Sequence, residues 1–304
     1  MQNTKHEMST IDCERPRITS LAPWFGSKRN LAPAIVEELG PHSCYWEPFC
    51  GSMAVLLFKT AVPMETVNDL HGDLINLGRV VQDRLLAPQL YRRARRVFGA
   101  KVFSDEAAAR FRERGNAPSG RLADLDRAYD YLLSSWMGRN GVAGTPSYNQ
   151  GFSRRFTVNG GHSGKRWRSV VESIPQWRRR MAQVTILSED GVGLIERIED
   201  HPSVAIYCDP PYLVKGAKYV YDFSGDDHRR LAESLQRFKK SRVVVSYYDH
   251  PDLKDLYPGW TQRKIEVSKA MASQGRRTAN DVRAVEVLLL NGLSYHEEGN
   301  GRLF

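Results

Sequence analysis

The chain has 304 residues, of which 41% are hydrophobic, and a net charge of +9. This length is sufficient for one large domain or for a core with an inserted module, and the positive charge indicates a polyanionic partner. No apolar signal segment opens the sequence and no run approaches the ~18 residues of a membrane span, so we expect a cytosolic protein, cytoplasmic in a bacterial host, rather than a secreted or membrane protein.

The cysteines argue against a metal site. They lack the paired spacing of zinc ligands, and three of them lie in apolar, strand-like surroundings typical of buried thiols in a reducing compartment. We therefore expect no metal. We also expect the protein to be a monomer or a weak dimer. The four are Cys13, Cys44, Cys50 and Cys208.

The first predicted helix follows the run Trp24-Phe25-Gly26-Ser27-Lys28. Its apolar positions Leu31, Ile35 and Leu39 recur at helical spacing, and Gly40 ends it. On the residues alone, Trp24 fits a hydrophobic core and Lys28 fits the exposed first turn of a helix.

A strand over 44–47 then runs into Pro48-Phe49-Cys50-Gly51-Ser52, a turn with one glycine, and a helix is predicted over 53–59. Met53 stands where a second glycine would let the backbone approach a ligand, so it either narrows the site or begins the helix one residue earlier.

Asp69 follows the next predicted strand, 66–68, and lies 18 positions beyond Gly51. An acid about 20 residues past a strand, glycine turn and helix is placed to hydrogen-bond a ribose. The alternative is a cap for a helix that begins near Asp73.

Between residues 85 and 183 the pattern changes to helices, predicted over 88–98, 104–114 and 121–137. A loop-rich basic stretch follows from Gly138 to Arg168, and its glycines and arginines would let the backbone track a groove and bind phosphates or base edges. The alternative is a solvated charged loop. The arginines at 178–180 indicate a solvated or phosphate-facing helix edge.

The second half alternates strands with helices. Strands are predicted over 184–187, 204–208, 242–247, 264–267 and 285–290, with a helix over 226–240. This alternation predicts an α/β fold with a mostly parallel sheet covered on both sides, whose carboxyl edge binds ligands. On the residues alone, Asp190 is placed to cap the helix that follows it.

The strand over 204–208 stops at Asp209-Pro210-Pro211-Tyr212. Two prolines stiffen this loop, which presents a carboxylate, free carbonyls and an aromatic face, a set suited to gripping a flat ring that bears an amine. The alternative is an ordinary turn with a proline pair.

Together these segments resemble the Dam-type (D12 class) DNA adenine-N6 methyltransferases. Residues 24–28 resemble that family's motif X, residues 45–52 its motif I, and Asp209-Pro210-Pro211-Tyr212 its motif IV, in the family's order. The resemblance implies a Rossmann-like methyltransferase sheet at 17–84 and 184–295, a helical and hairpin target recognition domain at 85–183, and loosely ordered tails at 1–16 and 296–304.

The same resemblance implies S-adenosyl-L-methionine as cofactor and double-stranded DNA as substrate. It makes Asp209, Pro210, Pro211 and Tyr212 catalytic. Expected cofactor contacts are Trp24, Phe25, Gly26, Lys28, Glu47, Pro48, Phe49, Gly51, Ser52, Asp69, Asp190 and Asp209. Expected DNA contacts are Arg139, Asn140, Arg154, Arg155, Lys165, Arg166 and Arg168.

The expected reaction is methylation of adenine N6 on a flipped-out base, without a covalent nucleophile. Asp209 and the Pro210 carbonyl would accept the two amine hydrogens, and Tyr212 would stack on the ring. Two alternatives are methylation of cytosine N4 or of RNA, and a non-catalytic DNA-binding regulator that retains the fold.

Overall fold

The structure is a computed structural model that describes residues 15–24, 26–98, 101–114, 123–138, 163–213, 223–268 and 283–297. The helices in these ranges are α1 (Ala32–Leu39), α2 (Ala54–Phe58), α3 (Gly72–Gln82), α4 (Leu86–Arg95), α5 (Lys101–Arg114), α6 (Leu125–Met137), α7 (Ser163–Met181), α8 (Gly191–Ile195), α9 (Gly225–Gln236) and α10 (Leu253–Leu256). The strands are β1 (Cys44–Glu47), β2 (Met64–Asn68), β3 (Val184–Leu187), β4 (Val204–Cys208), β5 (Arg242–Tyr248), β6 (Thr261–Ser268) and β7 (Arg283–Leu290).

The strands form one seven-stranded sheet in the order β3-β2-β1-β4-β5-β7-β6. The first five are parallel, while β7 runs antiparallel to both β5 and β6. The predicted α/β fold with a mostly parallel, Rossmann-like sheet is confirmed. The antiparallel edge was not predicted, because a run of apolar residues does not reveal strand direction.

Both faces of the sheet are covered. Along β4, Ala205 and Tyr207 pack into one apolar cluster with α1, α2, α3, α6 and α7, whereas Ile206 and Cys208 pack into a second cluster with α8, α9 and α10. Successive side chains of a strand point to opposite faces, so a strand buried on both sides is apolar at every position. This explains the unbroken run at residues 204–208.

The parallel strands all end at one edge of the sheet, and the order of the strands along the sheet reverses between the neighbours β1 and β4. In open α/β sheets ligands bind at such a switch point, outside the carboxyl ends of the strands. The segments that begin at Pro48 and Asp209 leave the sheet at this place. The fold therefore brings the motif I turn and the motif IV loop together.

The boundary of the basic loop was predicted wrongly. Residues 163–168 belong to α7, which continues through Pro175 to Met181. The first turn of α7 consists of polar, glycine and charged residues, so its sequence does not indicate a helix. Apolar residues at helical spacing follow later in the helix, among them Val170, Ile174 and Trp177, which are all buried in the core.

The inserted helices are packed onto the N-terminal segment and the sheet. Trp136 Nε1 donates to the Leu21 carbonyl at 2.8 Å, and Trp177 Nε1 donates to the Ile18 carbonyl at 2.5 Å. The separation of a target recognition domain at 85–183 from a catalytic domain at 17–84 and 184–295 stays a prediction. Most of the two predicted loose tails lies outside the described residues.

Arg180 differs from the predicted solvated or phosphate-facing edge. Its guanidinium is buried and donates to both oxygens of Glu65, at 2.5 and 2.8 Å, while Lys59 Nζ donates to the same carboxylate at 2.6 Å. The cause is the amphipathic phase of α7, which turns Arg180 toward the sheet and leaves Arg179 exposed.

Candidate active site

The carboxylate of Asp209 lies directly after β4 and is held by two other segments. Lys28 Nζ lies 3.0 Å from Oδ1, and Ser246 Oγ in β5 donates to the same oxygen at 2.9 Å. Burial raises the pKa of Asp209 above its ordinary value, against the opposing effects of Lys28 and Ser246. Since 22% of the side chain is exposed, the carboxylate lies at the mouth of a largely dry site.

Tyr212 follows the two prolines and is partly exposed. Its hydroxyl accepts a hydrogen bond from Lys28 Nζ and donates to Glu286 Oε2 at 3.2 Å. Its ring packs edge-on against Tyr248, with centroids 4.5 Å apart, and lies 6.1 Å from the ring of Tyr247. A ring fixed at its hydroxyl and along its edge is a preorganised stacking surface.

Lys28 is not the exposed first-turn lysine that the residues alone allowed. Only 4% of the residue is exposed, and Nζ also donates to the Gly26 carbonyl at 2.9 Å. Burial acts to lower the pKa of Lys28, but the carboxylates of Asp209 and Glu286 outweigh it and raise the pKa. The ammonium is therefore charged and bound beside Asp209.

Glu47, the last residue of β1, is buried and accepts from Tyr45 Oη at 2.9 Å. Burial raises the pKa of Glu47 to about 8, with a further rise from the charge of Asp209. Near neutral pH this acid is largely protonated, so it adds a proton donor at the switch point rather than a second full negative charge.

The motif I turn is fixed by Asp69. One carboxylate oxygen accepts from the backbone N–H of Gly51 and the other from that of His71, both at 2.8 Å. Asp69 is not the cap of α3, because His71 occupies that position and its ring accepts from the Leu74 N–H at 3.2 Å.

Met53 corrects one sequence interpretation. The helix does not begin early: Met53 precedes α2 as a fully buried residue at φ 58°, ψ 34°, and Gly51 has φ 44°. Methionine here adopts the left-handed conformation that glycine takes without steric cost. The turn thus keeps the geometry of two glycines with only one.

Trp24 packs against the motif I turn, and Phe49, a residue of that turn, packs against Gly191 at the start of α8. A Cβ on Gly51 would lie 3.0 Å from Trp24 Nε1, and a Cβ on Gly191 would lie 2.7 Å from the Phe49 ring. Ser52 is buried, and its hydroxyl lies 3.3 Å from that of Ser27. The Pro48 carbonyl accepts from Asn68 Nδ2 at 2.9 Å, which ties the turn to β2.

Asp190 is the cap of α8, as one of the two interpretations held. Its carboxylate accepts from the backbone N–H groups of Val192 and Gly193 at 3.2 and 3.0 Å, and Arg230 pairs with it at 3.0 Å. Its side chain is 58% exposed. A place beside the cofactor stays a prediction.

Of the predicted DNA contacts, the structure describes three, all at the start of α7. Lys165 and Arg168 are exposed, and Arg168 pairs with Glu172 at 3.3 Å. The Arg166 guanidinium lies over the Trp136 ring, 4.8 Å from its centroid. Predictions for Phe25, Arg139, Asn140, Arg154 and Arg155 lie outside the described residues.

Three residues around Asp209 were not predicted: Ser246, Tyr248 and Glu286. Glu286 stands alone as a charged residue within the run Val285–Leu290, and Ser246 interrupts the apolar run of β5. A polar group in a buried strand is the signal that identifies such positions.

In the part of the chain that the structure describes, three or more potential metal ligands are nowhere grouped together. Within the same ranges, none of the helices is long and apolar enough to cross a bilayer.

The chain is 24% identical over 293 residues to a DNA adenine methylase of Haemophilus influenzae, covering 85% of this chain and 92% of that protein. Two structures of the rRNA methyltransferase AviRa from Streptomyces viridochromogenes align with 86% of this chain and 84% of theirs, at 14% identity and TM-scores of 0.33 and 0.35. The fold is assigned from the order and direction of the strands in the sheet.

The model of one family, the D12 class N6 adenine-specific DNA methyltransferases, matches residues 24–273. That range spans the motif I turn, the inserted helices and the motif IV loop. The chain therefore belongs to the D12 class of N6 adenine-specific DNA methyltransferases.

Proposed function

We propose that this protein transfers the methyl group of S-adenosyl-L-methionine to N6 of an adenine flipped out of duplex DNA, and that Asp209, Pro210, Pro211 and Tyr212 carry the reaction. The observation that carries this proposal is the Asp209 carboxylate, held through one oxygen by Lys28 and Ser246 beside the ring of Tyr212. The protein would act on DNA in the bacterial cytoplasm.

The proposed role of Asp209 is to accept one N–H of the target amine, with the Pro210 carbonyl accepting the other. These two bonds draw the nitrogen out of conjugation with the ring and expose its lone pair. As the N–C bond forms, positive charge develops on nitrogen, and the carboxylate stabilises it. The excess proton would then pass along its hydrogen bond to the Asp209 carboxylate and on to solvent, while the electron pair of the broken sulfur–methyl bond would remain on the cofactor sulfur, so no covalent link to the protein is required.

Tyr212 is proposed to stack on the flipped base. Unstacking and unpairing the target costs a few kcal/mol, and base–aromatic stacking returns about 1 to 3 kcal/mol. The hydroxyl bonds to Lys28 and Glu286 hold the ring in place before the base arrives. A ring already fixed loses little entropy on binding.

The residues at the switch point fit the cofactor. Aromatic walls at Trp24 and Phe49, the turn at Gly51 and Ser52, and the Asp69 carboxylate lie at the carboxyl edge of the sheet. Each Asp69 oxygen accepts one backbone N–H and retains a second lone pair for a ribose hydroxyl. When bound there, the cofactor supplies an electrophilic methyl group.

Residues 85–183 are proposed to recognise the DNA target. Lys165 and Arg168 are exposed at the start of α7, directly after the Gly-rich stretch. Their charges suit phosphate contacts, whereas Arg166 packs on Trp136 and is a poorer candidate. Arg139, Asn140, Arg154 and Arg155 remain the proposed groove contacts.

The test is transfer of a labelled methyl group to duplex DNA, followed by chromatography of the digested nucleosides. We expect N6-methyladenine from the wild type and none from Asp209→Ala, with DNA and cofactor affinities within roughly tenfold because the carboxylate acts mainly on the transition state. Asp255→Ala, at an exposed acid in α10, is the matched control. N4-methylcytosine, or near wild-type turnover by Asp209→Ala, would contradict the proposal.

A further inference from the structure

The last strand pair brings a second carboxylate into the site. Glu286 lies in β7 opposite Tyr248 of β5, and 6% of it is exposed. Its Oε2 accepts from Tyr212 Oη at 3.2 Å and lies 3.7 Å from Lys28 Nζ. A carboxylate costs several kcal/mol to bury, so a position needed only for strand packing would be apolar.

The Lys28 ammonium joins the two acids. Its three N–H donors have three acceptors: Asp209 Oδ1 at 3.0 Å, the Gly26 carbonyl at 2.9 Å, and the Tyr212 hydroxyl. Each of the three ammonium protons therefore has an acceptor. The Tyr212 hydroxyl accepts one of these hydrogen bonds and donates a hydrogen bond of its own to Glu286. Asp209 also hydrogen-bonds with the Tyr212 hydroxyl, so Glu286 draws that hydroxyl's proton away from Asp209 and toward itself.

The charges of this cluster favour the reaction. Two carboxylates and one ammonium leave one net negative charge when both acids are ionised, in a site where little water screens it. Without Glu286, Lys28 would neutralise Asp209 as a simple pair, and the carboxylate would attract a developing cation less strongly. Glu286 is joined to Asp209 through Lys28 and Tyr212. The two carboxylates also repel each other directly, and burial together with this repulsion raises the pKa of Glu286.

We propose that Glu286 is a positioning residue for methyl transfer, which orients Tyr212 through its hydroxyl and shares Lys28 with Asp209 so that Asp209 keeps its negative charge for the target amine. This inference rests on the proposed function.

The test is Glu286→Gln, which keeps a hydrogen-bond acceptor for Tyr212 and removes the charge. We expect turnover to fall about 10- to 100-fold, because Lys28 then neutralises Asp209 and the carboxylate attracts the developing cation less strongly, while the KM values for DNA and cofactor stay within about twofold. Glu233→Gln, at an exposed acid in α9, is the matched control and should match the wild type.

A pH profile of turnover separates positioning from mere strand stability. Removing the Glu286 charge leaves Lys28 to stabilise the Asp209 anion alone, so the acidic limb should move to lower pH. Lys28→Met should move it to higher pH. Several other titratable groups interact with Asp209 and are not altered by Glu286→Gln. They are Lys28, Glu47, Tyr207, Cys208, Tyr212, Tyr247 and Tyr248.

Glu286→Asp keeps the negative charge but moves it away from the Tyr212 hydroxyl. Turnover should therefore fall while the acidic limb of the pH profile stays in place. This variant also provides the test if Glu286→Gln does not fold. Wild-type turnover in Glu286→Gln, or a loss of turnover with an unmoved limb, would overturn the inference. If the wild type forms no N6-methyladenine, the proposed function itself fails, before any variant is compared.

Discussion

At the scale of single residues, the site depends on where each polar group directs its bonds. Lys28 and Ser246 both bond to Oδ1 of Asp209, one from before α1 and the other from β5. A carboxylate held through one oxygen keeps a fixed plane, and in the proposed reaction its other oxygen would accept the target amine. Such preorganisation is the form of catalysis that needs no nucleophile.

Tyr212→Ala is expected to lose the stacking surface, worth about 1 to 3 kcal/mol, and so to reduce turnover on duplex DNA by roughly 5- to 150-fold. The loss should be smaller on DNA whose target adenine is already unpaired, because less flipping energy has to be recovered. Single-turnover kinetics on both substrates would measure it. Equal losses on the two would count against a role in flipping.

Met53 offers a test of backbone strain. Its φ of 58° costs any residue with a Cβ about 1 to 2 kcal/mol, while glycine carries about 0.5 to 1 kcal/mol of extra entropy in the unfolded chain. We therefore expect Met53→Gly to have a higher free energy of unfolding than Met53→Ala, by about 0.5 to 1 kcal/mol, although both lose core packing.

Urea denaturation of the two variants measures that difference. The control is Leu56, inside α2, where helical geometry should make the alanine variant the more stable one by about 1 kcal/mol. If the alanine variant were more stable than the glycine variant at Met53 as well, the turn would have relaxed and no strain would reside at Met53.

At the scale of elements, α7 links the proposed DNA-binding stretch to the sheet. Its first turns carry exposed Lys165 and Arg168, and its last turn buries Arg180 against Glu65 at the start of β2. One rigid helix therefore connects the surface beside the Gly-rich stretch with the side of the sheet.

Arg180→Ala should lower the free energy of unfolding by about 2 to 4 kcal/mol. Removing one member of a buried ion pair costs 3 to 5 kcal/mol, and Lys59, which still pairs with Glu65 at 2.6 Å, reduces that cost. Arg179→Ala, one position earlier and exposed, should stay within about 0.5 kcal/mol of the wild type. Chemical denaturation of both variants would show whether the phase of α7 is as described.

At the scale of the whole molecule, the net charge of +9 is concentrated unevenly, with a basic stretch that continues into α7. The Lys28–Asp209–Glu286 cluster, by contrast, combines one ammonium with two carboxyl groups, so its net charge is −1 when both acids are ionised. A DNA backbone would be attracted to the basic surface, while the proposed site favours a group that becomes cationic.

DNA affinity should therefore depend steeply on salt, and each lost phosphate contact should flatten the slope of log K against log salt by about 0.9. We expect Lys165→Ala and Arg168→Ala to do so without altering the methylated sequence. Lys254→Ala, exposed on α10, is the control. Titrations at several salt concentrations that give parallel lines for all three variants would move the phosphate contacts elsewhere.

Local patterns in the sequence were sufficient for the sheet and for the two motif segments. Strands β1, β3 and β4 have the predicted bounds, because apolar runs that end at prolines, glycines or acids identify strand ends without reference to the rest of the chain. Because parallel strands end at the same edge of a sheet, the predicted parallel sheet placed Gly51, Asp69 and Asp209 at one edge.

Only the tertiary structure determined which distant groups meet. Lys28, Ser246 and Glu286 reach Asp209 from three segments, and the antiparallel direction of β7 that carries Glu286 there leaves no mark in its apolar sequence. Likewise, the left-handed Met53 and the buried Arg180 contradict what their residue types favour. Contacts between residues far apart in the chain depend on how whole elements pack, and packing outweighs the preference of a single residue.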